Sequence, residues 1–299
     1  MTNSSSNATG SASRVVVIGP RASGKTTYLA GLTVLISKKK DFFLEKAKVD
    51  AFIEAGIEDG KESHAAQELK KRAKNIPFSK TSFLATNKND IQEYRFDGKI
   101  DYAGHSHKFA LDAVDVPGEG LESIEEPGTW TRNYLEAQIS QREKPIVFLL
   151  LLGDWEPPHS DSELSDILAS FRQVMRATAN LEDAKKFRFA VVMNKCERGE
   201  LWTRRLDPEK DIFRTYFKAS KLCLHSIFDD FDIPLENLGF FAMSTFGVLG
   251  EKDFRPNRDD TRRDGQYVSV LRDENSWYPY GMLSPIYWLI TGRRLPEYV

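Results

Sequence analysis

Gly19-Pro20-Arg21-Ala22-Ser23-Gly24-Lys25-Thr26 decides how this chain is read. The stretch fits G-x-x-x-x-G-K-[ST], a loop whose backbone N–H groups wrap a chain of phosphates. Before it runs Arg14-Val15-Val16-Val17-Ile18, a β-branched segment that reads as a buried strand. After it runs Thr27-Tyr28-Leu29-Ala30-Gly31-Leu32-Thr33-Val34-Leu35-Ile36, apolar at helical spacing. Strand, glycine-rich turn and helix thus follow in the order the motif requires. A helix N-terminus presents backbone N–H groups without partners, and so forms an anion site. On this reading Gly19, Pro20, Arg21, Ala22, Ser23, Gly24 and Thr27 form the cradle. Lys25 sets its ammonium between the outer phosphates, and the Thr26 hydroxyl is a ligand for Mg²⁺.

Three further segments extend the pattern. Asp115-Val116-Pro117-Gly118 is a D-x-x-G at the end of an apolar strand. In such a site the Asp115 carboxylate holds Mg²⁺ through water, and the Gly118 N–H meets the terminal phosphate. An ordinary Pro-Gly turn gives the same four letters, and the upstream loop is what favours the functional reading. Asn194-Lys195-Cys196-Glu197 directly follows the strand Phe187–Met193. It resembles N-K-x-D, in which the carboxylate accepts hydrogen bonds from a guanine edge and the lysine stem packs along the ring. Here the acid is Glu197, one methylene longer, which puts guanine specificity and not nucleotide binding in question. A surface Asn-Lys turn is the plainer alternative. Ser244, in Met243-Ser244-Thr245, stands where a loop commonly supports the base, and is weak alone.

The coarse order of elements alternates strands with helices and predicts an α/β fold. The expected sheet is mostly parallel with one antiparallel strand from the pair at 91–116, and helices cover both faces. Strands are expected at Arg14–Ile18, Ile91–Phe96, Lys108–Val116, 145–152, Phe187–Met193 and Leu238–Met243. Helices are expected at Glu45–Ile57, Ala65–Ala73, Trp130–Ile139, Glu163–Leu181, Ile212–Phe228 and Met282–Thr291. The segment 38–80 therefore reads as a helical insertion, and 250–276, rich in Asp and Arg without a clear period, as a long charged loop. Residues 1–13 read as a polar tail, and 14–299 as one nucleotide-binding domain.

The net charge of −2 over 299 residues gives no global basic field, so no nucleic-acid partner is expected. The short runs Lys38-Lys39-Lys40 and Lys70-Lys71-Arg72 read as solvated faces. The apolar run Pro145–Leu152 is too short to cross a bilayer. Two cysteines, Cys196 and Cys223, make no disulfide framework and suggest a reducing, cytoplasmic setting. His105 and His107 lack further nearby ligands, which argues against a metal site there.

In order and spacing, the P-loop, the D-x-x-G, the N-K-x-E and the late Ser244 loop resemble the Ras-like GTPases of the translation-factor-related class. The resemblance spans most of residues 14–292. The run Ile18–Leu32 and the closing Pro285–Ile290 segment resemble bacterial double-GTPase-type domains. It implies binding of GTP and GDP with Mg²⁺, hydrolysis of GTP, and a role in a bacterial multi-protein signalling or conflict system. The partner would be a second GTPase or an effector protein, since this chain holds one such loop. It also implies a switch threonine over Mg²⁺, for which Thr81 and Thr86 are in range and Thr81, after the Pro77–Lys80 break, is preferred. Where many relatives place a water-orienting Gln, this chain has Glu119. Glu119 can orient water, but its charge repels the terminal phosphate, so slow hydrolysis is expected. Arg21 either points at the phosphates as a built-in arginine finger, or points to solvent or pairs with Glu119, the reading favoured here. Three alternatives stay open. One is a scaffold that binds nucleotide without hydrolysing it. Another is a small-molecule kinase, with Arg262 and Arg263 in a lid, against which the N-K-x-E after a strand argues. The third is an ATPase, if Glu197 does not read guanine.

Overall fold

The computed structural model describes residues 14–20, 23–37, 47–52, 57–58, 61–62, 92–102, 105–115, 129–140, 146–153, 159–250, 252–263, 266–273 and 275–295. Its centre is a sheet of seven strands. In chain order these are β1 (Arg14–Ile18), β2 (Ala47–Phe52), β3 (Gln92–Tyr102), β4 (His105–Asp115), β5 (Ile146–Leu152), β6 (Arg188–Met193) and β7 (Leu238–Ala242). Across the sheet they lie in the order β2-β3-β4-β1-β5-β6-β7. The strands β4, β1, β5, β6 and β7 pair in parallel. β3 runs antiparallel to both of its neighbours, so one strand opposes the rest, as the sequence predicts.

The period of two in a strand sorts the core into two faces. Val16, Ile18, Phe148, Leu150, Phe189, Val191 and Phe240 face one side. There they meet α2 (Trp130–Ser140), α3 (His159–Thr178) and α4 (Lys218–Asp230), through Leu135, Phe171 and Phe228 among others. Val15, Val17, Leu149, Leu151, Val192 and Phe241 face the other side. They pack under α1 (Lys25–Ser37) and α5 (Ser284–Thr291), against Tyr28, Leu29, Ile286 and Leu289. β5 is buried at every position, which is why its sequence is apolar throughout instead of alternating. An aromatic stack sits at the middle of the first face. Phe148 stacks on Phe189 at 4.9 Å and meets Phe171 edge-on at 5.1 Å.

Three expected elements differ. The helix expected at Glu45–Ile57 is instead β2, paired with β3 from Ala47↔Tyr102 to Phe52↔Asp97. Ala47, Val49 and Ala51 alternate with Lys48 and Asp50. This weak period of two is realised once a sheet edge is offered, because strand preference depends on context more than helix preference does. Ala65–Ala73 lies outside the described residues. The helix expected at Ile212–Phe228 is broken. A π turn (Glu209–Phe213) and a short α turn (Arg214–Tyr216) end at Phe217, whose φ of −123° and ψ of 52° leave the helical region, and α4 starts afresh. Asp161 on α3 enforces the restart. Its carboxylate accepts from the N–H groups of Ala219 and Ser220 at 2.9 Å each and from Ser220 Oγ at 2.6 Å. These are first-turn donors that the helix cannot satisfy itself.

The third difference is the expected charged loop at 250–276. It forms two antiparallel hairpins, β8 (Val248–Gly250) with β9 (Asp253–Pro256), and β10 (Arg258–Arg263) with β11 (Gln266–Leu271). Asn257 joins them and is fully buried. Its amide donates to the carbonyls of Asp273 and Ser276 at 2.8 and 2.9 Å and accepts from Asp273 N–H at 2.8 Å. Its own N–H donates to Gly247 O at 3.0 Å. Among the described residues, no helix is long and apolar enough to cross a membrane.

Candidate functional site

The parallel strands bring their C-terminal ends to one edge of the sheet, and loops at that edge are where open α/β sheets bind ligands. Gly19 and Pro20 follow β1, Asp115 ends β4, Gly153 follows β5, Asn194 follows β6 and Ser244 stands just beyond β7. The register pairs Arg14 with Ala110. Asp115, five residues beyond Ala110, therefore comes level with Gly19, five residues beyond Arg14.

The glycine-rich turn leads straight into α1. Gly24 has φ +87°, and a Cβ there would overlap the Asn194 amide nitrogen. The Gly24 carbonyl accepts the first helical bond, from Tyr28 N–H at 2.8 Å. The N–H groups of Lys25, Thr26 and Thr27 thus stand in the first turn, at the positive end of the helix dipole. No acidic side chain of α1 lies in that turn. Lys25 is buried at 5% exposure. Its ammonium donates to the carbonyls of Gly19 and Pro20 at 2.7 and 3.0 Å, which holds it over the loop. Ser23 Oγ is buried without a hydrogen-bond partner.

The loop after β6 is tied to the glycine-rich loop through Asn194. Its Nδ2 donates to Ser23 O at 2.9 Å, and its Oδ1 accepts from Lys195 N–H at 2.8 Å. Lys195 takes φ +57°, a left-handed conformation uncommon for a side-chain-bearing residue. The Lys195 stem lies beside Gly24, its Cε 3.8 Å from where a Cβ would stand. Asn194 thus bridges the loop after β6 to the glycine-rich loop after β1.

Glu197 is 1% exposed. Its Oε1 accepts from Arg258 Nη1 at 3.3 Å, and its Oε2 has no partner. The neighbouring loop after β7 is held beside it, since Cys196 N–H donates to Met243 O at 3.0 Å. In that loop the Ser244 hydroxyl accepts from Gly247 N–H at 2.7 Å and shapes the turn. Thr245, one residue on, has a buried hydroxyl without a partner, while its carbonyl accepts from Trp277 Nε1 at 2.8 Å. Three unpartnered polar atoms therefore sit on loops at this one edge: Ser23 Oγ, Glu197 Oε2 and Thr245 Oγ1. Buried polar atoms are usually paired, and a polar ligand between these loops is one way to pair them.

Arg21, Ala22, Thr81, Gly118 and Glu119 lie outside the described residues. Asp115 is placed by its backbone at the end of β4, and Thr26 opens α1. A hydroxyl and a carboxylate are hard oxygen donors of the kind Mg²⁺ takes, so the residue types at this edge fit that ion. Arg262 and Arg263 stand in β10, paired with Tyr267 and Gln266.

Sequence reading missed Gly153 and Arg258, and took Thr245 only as the neighbour of Ser244. Gly153 had no motif around it, yet a Cβ there would overlap the Ser23 backbone, so the glycine lets the end of β5 underlie the glycine-rich loop. Arg258 was hidden in the charged segment. The signal available was Asp264-Gly265 between two six-residue runs, a hairpin turn pair.

No family model matches the chain, and no curated protein matches it. Among solved structures, the fold is similar to the signal recognition particle receptor SRb-GTP/SRX complex from Chaetomium thermophilum, at 14% identity and a TM-score of 0.35, covering 81% of this chain and 94% of that one. It is similar to the S. cerevisiae Ski7 GTPase-like domain bound to GDP and inorganic phosphate, at 14% identity and a TM-score of 0.38, over 83% of this chain and 46% of that one. It is also similar to Methanosarcina barkeri Roco2 RocCORdC bound to GDP, at 12% identity and a TM-score of 0.30, over 78% of this chain and 43% of that one. The chain thus spans less than half the length of the Ski7 and Roco2 structures.

Proposed function

We propose that this protein is a Mg²⁺-dependent guanine-nucleotide switch that hydrolyses GTP slowly. The observation that carries the reading is the Asn194–Ser23 bridge, at 2.9 Å and across 171 residues of sequence. It makes the phosphate loop and the base loop one site, with buried unpaired polar atoms on both.

Within that site each residue has a task. The first-turn N–H groups of α1 and the Lys25 ammonium take the phosphates. Thr26 and Asp115 hold Mg²⁺, which neutralises phosphate charge when bound, and Thr81 is assigned to close over it. Gly118 senses the terminal phosphate. Glu119 orients water poorly because of its own charge, and Arg21 stays out of the reaction. Asn194 and Lys195 connect the two halves, Glu197 accepts from the base, and Ser244 fixes the loop beside it. A bacterial multi-protein signalling or conflict system as its setting rests on the resemblance of Ile18–Leu32 and Pro285–Ile290.

Titration calorimetry of GTP, GDP, ATP and ADP with Mg²⁺, on the wild type and Lys25→Ala, tests the reading. Guanine-nucleotide binding that is lost in Lys25→Ala is the expected result. Absence of binding in the wild type would overturn it, and a preference for adenine would move the protein to the ATPase or kinase reading. Single-turnover hydrolysis should run below about one per second, in the unaided range of switch GTPases.

A further inference from the structure

Arg258 reaches the base loop from outside the four motifs. It is 8% exposed and stands at the start of β10. Its Nε and Nη2 donate to Asp260 Oδ1 at 3.0 and 2.6 Å, and Nη2 donates again to Ser269 Oγ at 2.7 Å. A guanidinium has five N–H donors, so three of them are used inside the hairpin and fix the group in place. Ser269 Oγ in turn donates to Asp260 Oδ1 at 2.7 Å, which stiffens the support. Burial works to raise the Asp260 pKa, but the hydrogen bonds from Ser269 and Arg258 prevail and keep it ionised.

The remaining two donors are on Nη1. One goes to Glu197 Oε1 at 3.3 Å. The other Nη1 N–H is uncommitted, and so is Glu197 Oε2, which is buried. The ion pair therefore offers one donor beside one acceptor, both unused and both out of bulk water.

We propose that Arg258 and Glu197 read the base as a couple. Arg258 Nη1 donates to a ring carbonyl, and Glu197 Oε2 accepts from the adjoining ring N–H. That is the edge of a 6-oxopurine, with O6 beside N1–H. Adenine presents the opposite polarity there, setting donor against donor and acceptor against acceptor. Since Glu197 Oε1 is already drawn to Arg258, a 2-amino group finds only a shared, weakened acceptor there. Guanine and hypoxanthine nucleotides are then accepted nearly alike. This rests on the nucleotide reading above and adds the source of its base selectivity.

Calorimetry of GDP, IDP and ADP with Mg²⁺ on the wild-type protein tests it. IDP is expected within about tenfold of GDP and ADP more than about tenfold weaker, since a hydrogen bond to a charged group is worth at least about tenfold in affinity. In Arg258→Ala, Oε1 is released to the 2-amino group, so the GDP preference over IDP should widen by about tenfold on the same scale. The proposal is overturned by wild-type IDP weaker than GDP beyond that tenfold limit, by ADP within it, or by an unchanged GDP-to-IDP ratio in Arg258→Ala. The wild-type ratios decide the matter even if that variant does not fold. Failure of all three nucleotides to bind would overturn the nucleotide reading as well, which separates the two failures.

Discussion

At the scale of the residue, Asn194 has two jobs with one amide. Removing it leaves the Ser23 carbonyl unpaired in a buried place and frees the Lys195 backbone from its local acceptor. Asn194→Ala should lower stability by about 1–3 kcal/mol, the cost of a buried polar group left without its partner. Thermal melting reads this, and calorimetry should show weaker nucleotide binding in the same variant. Gly24 is as constrained: with φ +87° and the Asn194 amide where its Cβ would go, Gly24→Ala has both backbone and steric strain. The motif letters made Asn194, Gly24 and Lys25 legible. They did not show that Glu197 is met by a cation, because Arg258 lies 61 residues away along the chain.

At the scale of the element, two contacts decide where structure begins and ends. Asp161 on α3 caps α4 from outside. Asp161→Ala should cost about 1–2 kcal/mol, in the range of a lost N-cap, read as a lower melting temperature. Asn257 anchors the hairpins with its amide and its backbone. In Asn257→Ala, amides of β10 and β11 should exchange with solvent faster than those of β5, since local opening follows lost local contacts. Uniform exchange across both regions would contradict this role. The restart at α4 and the strand at β2 are elements that local pattern misjudged. In each, a partner distant in sequence overrode a weak local preference: Asp161 in one case, β3 in the other.

At the scale of the whole molecule, the sheet and its two helical layers form the framework that sets the site. Phe148 lies at the centre of one layer, fully buried and in ring contact with Phe171, Phe187 and Phe189. Phe148→Ala should cost about 3–5 kcal/mol, the usual cost of deleting a core aromatic ring, which denaturant unfolding can measure. The same layer is clasped by charge. Arg172 on α3 donates to Asp230 at the end of α4 at 2.6 and 2.8 Å, and Arg176 adds a third bond. The Arg172 hydrogen bonds hold the Asp230 carboxyl below its ordinary value of 3.8. A carboxyl lowered on folding contributes stability that is present above the unfolded pKa and is lost as pH falls through the folded one. Asp230→Asn should therefore lower stability at neutral pH and flatten its decline below about pH 4, as melting curves across acid pH would show.

What the sequence determined by itself is local and periodic. Gly19 to Thr26 between a β-branched run and an apolar helix fixes a strand, turn and helix, because those residue types suit those backbone angles and faces. Continuous apolar runs at β5, β6 and β7 fix a parallel sheet covered on both sides. Tertiary structure decided what depends on residues far apart in the chain. It made β2 a strand, folded the charged 250–276 segment into hairpins, and carried Arg258 to Glu197. A buried carboxylate needs a counter-charge or a ligand, and sequence spacing holds no record of which side chain will arrive to supply it.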